Sequence, residues 1–461
     1  MIETLKYIDD NAGRYVDELK DFLRIPSVSA NSAHADDTRR AALFVADEAR
    51  RIGLENVQIM ETAGYPVVYA DWLHAEGKPT VLLYGHYDVQ PPEPLELWTS
   101  PPFEPTVRQG NSDDLNIYAR GSSDDKGQVF LHLKSFEALM RTTGALPVNV
   151  KIVIEGEEEV GSPNLPGFLA EHSDLLACDA VVISDTSMYD YGMPGITYGL
   201  RGLAYFELHV TGASTDLHSG MFGGPVANPI NALCGLIAKM KDEKGRITLP
   251  GFYDDVVMTA EERARLAGIP FDSAKFAASL DLPSTTGEDG YSDLERLWAR
   301  PTLDVCGIWG GYQGEGAKTV LPSKAGAKIS MRLVAHQDHH RVGDQLRQFV
   351  QENAPAGVRV DVVDLHGGPP ALTPTDSVPV RAALSALEEA FGTAPLLIRS
   401  GGSIPIVADF EKQLGAPVVL MGFGLPDDRL HAPNEKMNLK NFHLGIKSSA
   451  LFLSEYAKMG E

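Results

Sequence analysis

Apolar runs and segments of helical periodicity alternate along both ends of the chain. The runs Val81–Tyr84 and Ala180–Ile183 predict strands buried on both faces of a parallel sheet. Apolar residues recur at helical spacing over 3–24, 36–52 and 128–140. We therefore predict an α/β fold: a mixed, mostly parallel sheet with helices on both faces.

Two aspartates stand where helices are expected to begin. Asp36 or Asp37 is the predicted N-cap of the second helix. Asp125 lies just before the third helix and either caps it or belongs with the polar groups at the strand ends described below.

The middle of the chain has a different pattern. In Ala204–Val210 and Lys328–Val334, apolar and polar residues alternate, which is typical of an antiparallel sheet with one solvated face. We therefore expect an α+β domain inserted into the α/β domain. The predicted domains are 1–199 with 373–461, and 200–372 between them.

Length and charge narrow the class of protein. A chain of 461 residues exceeds the size of a single hydrophobic core, so two domains are expected. Lys and Arg number 40 against 63 Asp and Glu, a net charge of −23. Such a field repels nucleic acid phosphates and anionic membrane surfaces, so neither is an expected partner. No apolar run reaches about 18 residues, so no transmembrane helix is expected.

The cysteines give an expectation about the compartment. Cys178, Cys234 and Cys306 lie far apart, which argues against a disulfide framework and against a thiolate zinc site. The N-terminal residues lack the apolar core of a signal peptide. We expect buried thiols in a reducing compartment and a cytoplasmic protein.

Polar groups collect where the predicted strands end, which is where open α/β sheets place their ligands. These groups are two imidazoles and five carboxylates: His86, Asp88, Asp124, Glu158, Glu159, Asp185 and His431. Nitrogen and oxygen ligands suit zinc, manganese or cobalt, and the set exceeds the needs of one tetrahedral ion. Two metal ions about 3.5 to 4 Å apart would accommodate all seven groups. From the residues alone, polar strand ends without a metal remain an alternative.

Five sequence blocks resemble those of the M20 metallopeptidase family, in order along nearly the whole chain. They are Gly85–Pro91, Arg120–Gly127, Glu155–Ser162, Ile183–Thr186 and His431–Glu435. The family includes carnosinase-like dipeptidases, aminoacylases, glutamate carboxypeptidases and acyl-diaminopimelate deacylases. The resemblance implies an enzyme with a catalytic domain and an inserted lid or dimerisation domain.

The resemblance also implies roles for the strand-end groups. The implied ligands of two zinc ions, with manganese or cobalt as alternatives, are His86 and Asp185 for one ion, Glu159 and His431 for the other, and Asp124 as the bridge. Asp88 would orient His86. Glu158 would be the general base acting on a metal-bridging water. Family members carry a cis peptide directly after the residue that matches Asp124.

In the inserted domain the resemblance implies contacts with a substrate. His218 would reach into the site of a second subunit and stabilise an oxyanion, which implies a homodimer. Arg332 matches the arginine that holds the substrate's free C-terminal carboxylate. Thr319 and Ser403 match further substrate contacts. Without the resemblance, an exposed histidine, a solvent-facing strand arginine and a helix-capping serine are the simpler interpretations of His218, Arg332 and Ser403.

The blocks resemble the carnosinase-like dipeptidase branch most. We expect hydrolysis of dipeptides or short peptides with a free C-terminal carboxylate. One alternative is an N-acyl-amino-acid amidohydrolase or acyl-diaminopimelate deacylase on the same scaffold. A second alternative is a metal-bound peptide-binding protein without activity, although such a protein has no use for a base such as Glu158.

Overall fold

The computed structural model describes residues 1–110, 114–402 and 404–459. They form two compact units: Met1–Tyr198 with Thr373–Ile398 and Ile406–Glu461, and Gly199–Leu372 with Arg399–Pro405. We expected 399–405 in the first domain, whereas this segment belongs to the second unit. Among the described residues, none of the helices has both the length and the apolar character that a bilayer crossing requires.

Helices and strands alternate as follows in the described residues. The helices are α1 (Ile2–Asp10), α2 (Ala12–Leu23), α3 (Ala35–Ile52), α4 (Lys126–Thr143), α5 (Leu165–Glu171), α6 (Ser173–Leu176), α7 (Ser219–Phe222), α8 (Pro229–Ala238), α9 (Ala260–Ala267), α10 (Ser273–Ser279), α11 (Asp293–Trp298), α12 (His339–Asn353), α13 (Val378–Phe391), α14 (Pro405–Leu414) and α15 (Leu439–Met459). The strands are β1 (Glu55–Met60), β2 (Val67–Trp72), β3 (Thr80–His86), β4 (Thr106–Gln109), β5 (Leu115–Tyr118), β6 (Asn149–Glu155), β7 (Ala180–Ile183), β8 (Gly195–Leu200), β9 (Gly202–Thr211), β10 (Leu217–His218), β11 (Thr302–Gly310), β12 (Val320–Leu321), β13 (Lys324–Leu333), β14 (Arg359–Gly368), β15 (Ala371–Leu372), β16 (Leu396–Ser400), β17 (Val418–Leu420) and β18 (Lys436–Asn438).

The first unit is built on one mixed sheet. Within this unit its strand order is β1-β2-β6-β3-β7-β17-β8, with β16 paired to β8. The four central strands, from β6 to β17, run parallel. The strands β1, β2 and β8 pair in the antiparallel sense. The predicted mixed sheet is confirmed, and its parallel part is confined to the centre, where the strands are buried on both faces.

Helices pack against this sheet and against one another. Nearly every residue of α4 is buried, from Lys126 to Leu139, because α4 lies between the sheet and the helices α1, α2, α3 and α15. One apolar core joins these helices to the strands beneath them. The core therefore fixes the position of the N-terminus of α4, which directly follows Asp124 and Asp125.

Two local predictions at the N-terminal helices were wrong. The helix expected over 3–24 is divided into α1 and α2 at Asn11, whose backbone is not helical and whose side-chain amide donates to the Tyr7 carbonyl. The N-cap of α3 is His34 rather than Asp36 or Asp37. Both aspartates lie in the first turn instead, where a negative charge favours the helix dipole.

The second unit contains an antiparallel sheet of order β11-β13-β9-β14. Buried and partly exposed residues alternate along β9, as predicted, and α8 and α12 pack against the sheet. The expectation of buried thiols was wrong, because Cys234 and Cys306 in this unit are exposed and Cys178 in the first unit is only partly buried. All three are free thiols.

Candidate metal centre

The predicted ligands of the first unit come together at one edge of the central sheet. His86 is the last residue of β3, and Asp185 follows β7. Glu158 and Glu159 stand in a short 3₁₀ turn, Glu158–Val160, just beyond β6. Because parallel strands end at the same edge, these side chains converge although the chain separates them.

Asp124 lies between the two histidines of this cluster. Its Oδ1 is 3.2 Å from His86 Nε2, and its Oδ2 is 3.0 Å from His431 Nε2. Asp185 Oδ2 lies 3.9 Å from His86 Nε2, and Glu159 Oε2 lies 3.3 Å from His431 Nε2. One carboxylate thus presents a different oxygen to each imidazole, which is the arrangement that a bridging ligand requires.

Two groups of side chains in this cluster could each hold a metal ion. One consists of His86, Glu158 and Asp185, and the other of Asp124, Glu159 and His431. In each group the ligand atoms lie within 4.8 Å of one another. Glu158, predicted as a base, is therefore also close enough to serve as a ligand of an ion held by His86 and Asp185.

A third acidic group has a different character. Glu18, Glu48 and Glu137 also lie close together, but the Lys134 ammonium is bonded to all three carboxylates. Arg14 and Arg51 also pair with these acids, so three cations face three carboxylates. The third group is therefore a structural ion network rather than a metal site.

Asp88 fixes the orientation of His86. His86 Nδ1 donates to the Asp88 carbonyl at 3.1 Å and lies 3.3 Å from its carboxylate. That carboxylate accepts from Ser29 Oγ at 2.6 Å and from the Glu159 amide at 3.2 Å. With Nδ1 as the donor, the lone pair of Nε2 faces the acidic cluster. His86 Nε2 is fully buried and accepts no hydrogen bond, which fits a metal ligand.

The charges of this cluster call for cations. Burial, together with neighbouring carboxylates, raises the pKa of Asp185 to about 6, of Glu158 to about 8 and of Glu159 to about 10. Burial also disfavours ionised Asp124, but the neighbouring imidazoles of His431 and His86 outweigh it and hold the pKa of Asp124 below its usual range. Divalent ions would favour the ionised form of every one of these acids, so the donor set fits a metal centre.

The peptide bond between Asp124 and Asp125 is cis, as the resemblance implied. Asp125 stands at the N-cap position of α4, but its side chain makes no capping hydrogen bond. Its Oδ2 instead accepts from the His86 backbone amide at 3.3 Å. Of the two interpretations of Asp125, helix capping by the side chain is therefore excluded.

The remaining predicted site residues belong to the second unit. His218 in β10 is exposed and pairs with Val320 of β12, and Thr319 directly precedes that partner. The Thr319 carbonyl accepts from the Ser219 amide at 3.0 Å, so His218 and Thr319 are neighbours. Arg332 in β13 is partly buried and lines a cavity of about 810 Å³ within the second unit. Ser403 lies outside the described residues.

Two residues that support the ligands, Gln90 and Glu435, were not predicted from the sequence. Gln90 donates to both carboxylate oxygens of Glu159, through its backbone amide at 3.2 Å and its side-chain amide at 2.8 Å. Glu435 is fully buried and accepts hydrogen bonds from the segment that carries Asp124. Both residues lie inside the conspicuous blocks, so their positions were visible in the sequence but their contacts were not.

Known proteins resemble the chain over almost its whole length. Residues 82–455 match the profile of peptidase family M20/M25/M40. The Cys-Gly metallodipeptidase DUG1 of Candida albicans is 32% identical over 98% of this chain and 96% of its own length. The human Beta-Ala-His dipeptidase is 32% identical over 99% and 93%. The solved structure of the M20 family metallo-carboxypeptidase Sso-CP2 from Sulfolobus solfataricus shares a TM-score of 0.83 and 32% identity, over 96% of this chain and 99% of its own.

Proposed function

The chain belongs to peptidase family M20/M25/M40 as one of its metallodipeptidases, and we propose that it hydrolyses dipeptides and other short peptides with a free C-terminal carboxylate at two divalent ions. The observation that carries the proposal is the position of Asp124, with one oxygen facing His86 and the other facing His431.

Two imidazoles and three carboxylates are sufficient to hold both ions. We assign His86 and Asp185 to one ion, Glu159 and His431 to the other, and Asp124 to both. Mixed nitrogen and oxygen ligands favour zinc, with manganese or cobalt as alternatives. When bound, such ions polarise the scissile carbonyl and make water a stronger nucleophile.

Glu158 is then left for proton transfer. We assign it the role of general base, which takes a proton from the attacking water and returns it to the leaving amine. This role is supported by the short distances from Glu158 to His86 and Asp185, since the ligand atoms of all three lie within 4.8 Å of one another. Asp88 keeps the His86 ring in the orientation that directs Nε2 toward the cluster.

Substrate recognition is assigned to the second unit. We propose that Arg332 binds the C-terminal carboxylate, with Thr319 and Ser403 as further contacts, because a planar guanidinium pairs with a carboxylate through two hydrogen bonds. Arg332 lines the cavity of about 810 Å³ together with Arg201, Arg296 and Arg300. A cavity of this size is suited to a small ligand.

We also propose a homodimer in the cytoplasm. His218 would act in the partner's site, and the exposure of its neighbours Met221 and Phe222 supports an interface there. The exposed thiols of Cys234 and Cys306 are suited to a reducing compartment.

A substrate panel tests the proposed function. Metal-stripped protein, reloaded separately with zinc, manganese and cobalt, would be assayed on dipeptides, tripeptides, N-acetyl and N-succinyl amino acids, and N-blocked dipeptides. We expect turnover of peptides with free termini. Turnover confined to acylated amino acids would instead assign an amidohydrolase or deacylase.

The relation to Sso-CP2 makes a carboxypeptidase the second candidate. N-blocked and longer peptides discriminate between the two, because a carboxypeptidase removes the last residue whatever precedes it, whereas a dipeptidase needs a free amine next to the scissile bond. If the protein binds metal but hydrolyses no substrate in the panel, the result would favour a peptide-binding protein without activity.

A further inference from the structure

One buried carboxylate outside the ligand set is bonded to the backbone around Asp124. Glu435 Oε2 accepts from the Arg120 guanidinium at 2.8 Å and from the Gly121 amide at 2.9 Å. Its Oε1 accepts from the amides of Ser123 at 3.0 Å and of Asp124 at 3.2 Å. Four donors on one short segment thus converge on a single side chain that is fully buried. Three backbone amides within four residues thus surround one anion, and we call this arrangement an anion nest.

This nest connects segments that carry different ligands. Glu435 stands four residues after His431, so the chain segment that presents one ligand also fixes the segment that presents Asp124. The Glu435 carbonyl in addition accepts from the Ala119 amide at 3.2 Å. A displacement of Glu435 would therefore shift Asp124 and His431 relative to each other.

Arg120 extends the connection to the segment after His86. Besides Glu435, its guanidinium donates to the Pro91 carbonyl at 3.1 Å and lies over the Trp98 ring at 5.6 Å. Arg120 and Glu435 are both almost completely buried, 2.8 Å apart. Such a pair holds its geometry firmly, because separating the two charges would leave each of them unsatisfied in the interior.

We propose that Glu435, supported by Arg120, is a positioning residue of the metal centre, which sets the place of Asp124 between His86 and His431. It touches neither ion nor substrate and acts through the backbone of residues 121–124. The inference rests on the proposed metal site. It concerns the affinity for metal, because residues that orient ligands typically contribute about 10- to 100-fold to binding or activity.

The test is Glu435→Gln, which keeps the size of the side chain but replaces one carboxylate oxygen by an amide NH2 group. This group is itself a donor, so it cannot accept the two hydrogen bonds that the replaced oxygen accepts. Metal-stripped protein would be titrated with zinc against a chromophoric chelator, and kcat and KM would be measured on a dipeptide at limiting and excess zinc. We expect zinc affinity to fall about 10- to 100-fold for at least one ion. We also expect kcat to recover in part with excess zinc, and KM to change little.

Glu137→Gln is the matched control. Glu137 is another buried carboxylate of the first unit with cationic partners, Arg14, Arg51 and Lys134, which are not ligands of the proposed centre. Its substitution should lower the melting temperature of the metal-free protein and leave zinc affinity unchanged. A residue that only stabilised the fold would behave like this control.

Wild-type zinc affinity in a folded Glu435→Gln variant would overturn the proposal. If that variant does not fold, Arg120→Lys replaces it, with a smaller loss of affinity expected, and unchanged affinity there would likewise overturn it. Failure of the proposed function is separate, since it would appear in the wild type as fewer than two bound ions or as no hydrolysis of peptides.

Discussion

His431 Nε2 lies 3.0 Å from Asp124 Oδ2, although 307 positions separate the two residues in the chain. Asp124 precedes a buried helix, whereas His431 stands in a loop with a left-handed backbone, at a φ of 58°. A non-glycine residue in this region needs support from its surroundings, and such residues concentrate at functional sites. The pair therefore joins a rigid element to a loop held in an unfavourable conformation.

From this pairing we expect different metal contents in two variants. Asp124→Ala should bind neither ion tightly, because it removes the carboxylate assigned to both. His431→Ala should lose one ion and retain the other, held by His86 and Asp185. Elemental analysis of dialysed protein gives the stoichiometry. Equal loss in both variants would contradict the bridging role of Asp124.

Replacement of Glu158 distinguishes between two roles for this residue, general base and metal ligand. Glu158→Gln should lower kcat by about 10²- to 10⁴-fold, because general base catalysis contributes this much, while both ions stay bound. The same elemental analysis, together with turnover of a dipeptide, checks the prediction. If Glu158→Gln loses the ion held by His86 and Asp185, Glu158 is a ligand, and the assignment of the base is wrong.

The local predictions succeeded where burial makes a pattern simple. Strands such as β3 and β7 are buried on both faces, so their continuous apolar runs, and the polar residues at which these runs end, could be recognised in the sequence. The contacts of Glu435 could not be predicted in this way, because its partners lie more than 300 positions earlier in the chain.

Other features of the structure, such as the helix break at Asn11, could not be predicted from the spacing of apolar residues. The break at Asn11 arises where a polar side chain bonds to the backbone of the preceding turn. The division between the two units falls inside β16, between Ile398 and Arg399, and the Gly-rich sequence that follows predicts a turn but not the unit to which the segment belongs. The exposed thiols likewise follow from which faces of α8 and β11 the second unit covers.

The ion network around Glu137 predicts the response to acid. Burial alone would raise the pKa of Glu137, but hydrogen bonds from Arg51 and Arg14 outweigh it and lower the pKa to about 2, below the usual 4.5. A depressed carboxyl pKa stabilises the fold above its unfolded value, and the effect is lost as the pH falls from about 4.5 to about 2. We expect Glu137→Gln to lower the free energy of unfolding by about 3 kcal/mol at pH 7, and by much less near pH 2. Urea unfolding of metal-free protein at several pH values measures this, and an equal loss at every pH would contradict it.

Arg332→Ala tests how the substrate is held. For substrates with a free carboxylate we expect KM to rise and kcat/KM to fall, because the substrate anion would lose its partner. The fall in kcat/KM should correspond to a loss of about 2 to 5 kcal/mol of transition-state stabilisation. The same peptides with a C-terminal amide are the control. They should be poor substrates of the wild type and nearly unaffected by the substitution. If amidated and free peptides lose activity equally, Arg332 supports the fold of the second unit rather than the substrate carboxylate.

His218 tests whether two subunits share a site. His218 is exposed, and its Nδ1 accepts from the Gly220 amide at 3.0 Å, which fixes the ring and directs Nε2 away from its own turn. If this nitrogen serves the partner's site, His218→Ala and Glu158→Ala homodimers should each be nearly inactive. Mixing them under conditions that exchange subunits should restore activity, because half of the sites in a mixed dimer combine an intact Glu158 with an intact His218 from the other subunit. Size-exclusion chromatography would establish that dimers form and exchange. No recovery in exchanged dimers would place His218 in the site of its own subunit or outside catalysis, whereas recovery requires the shared arrangement.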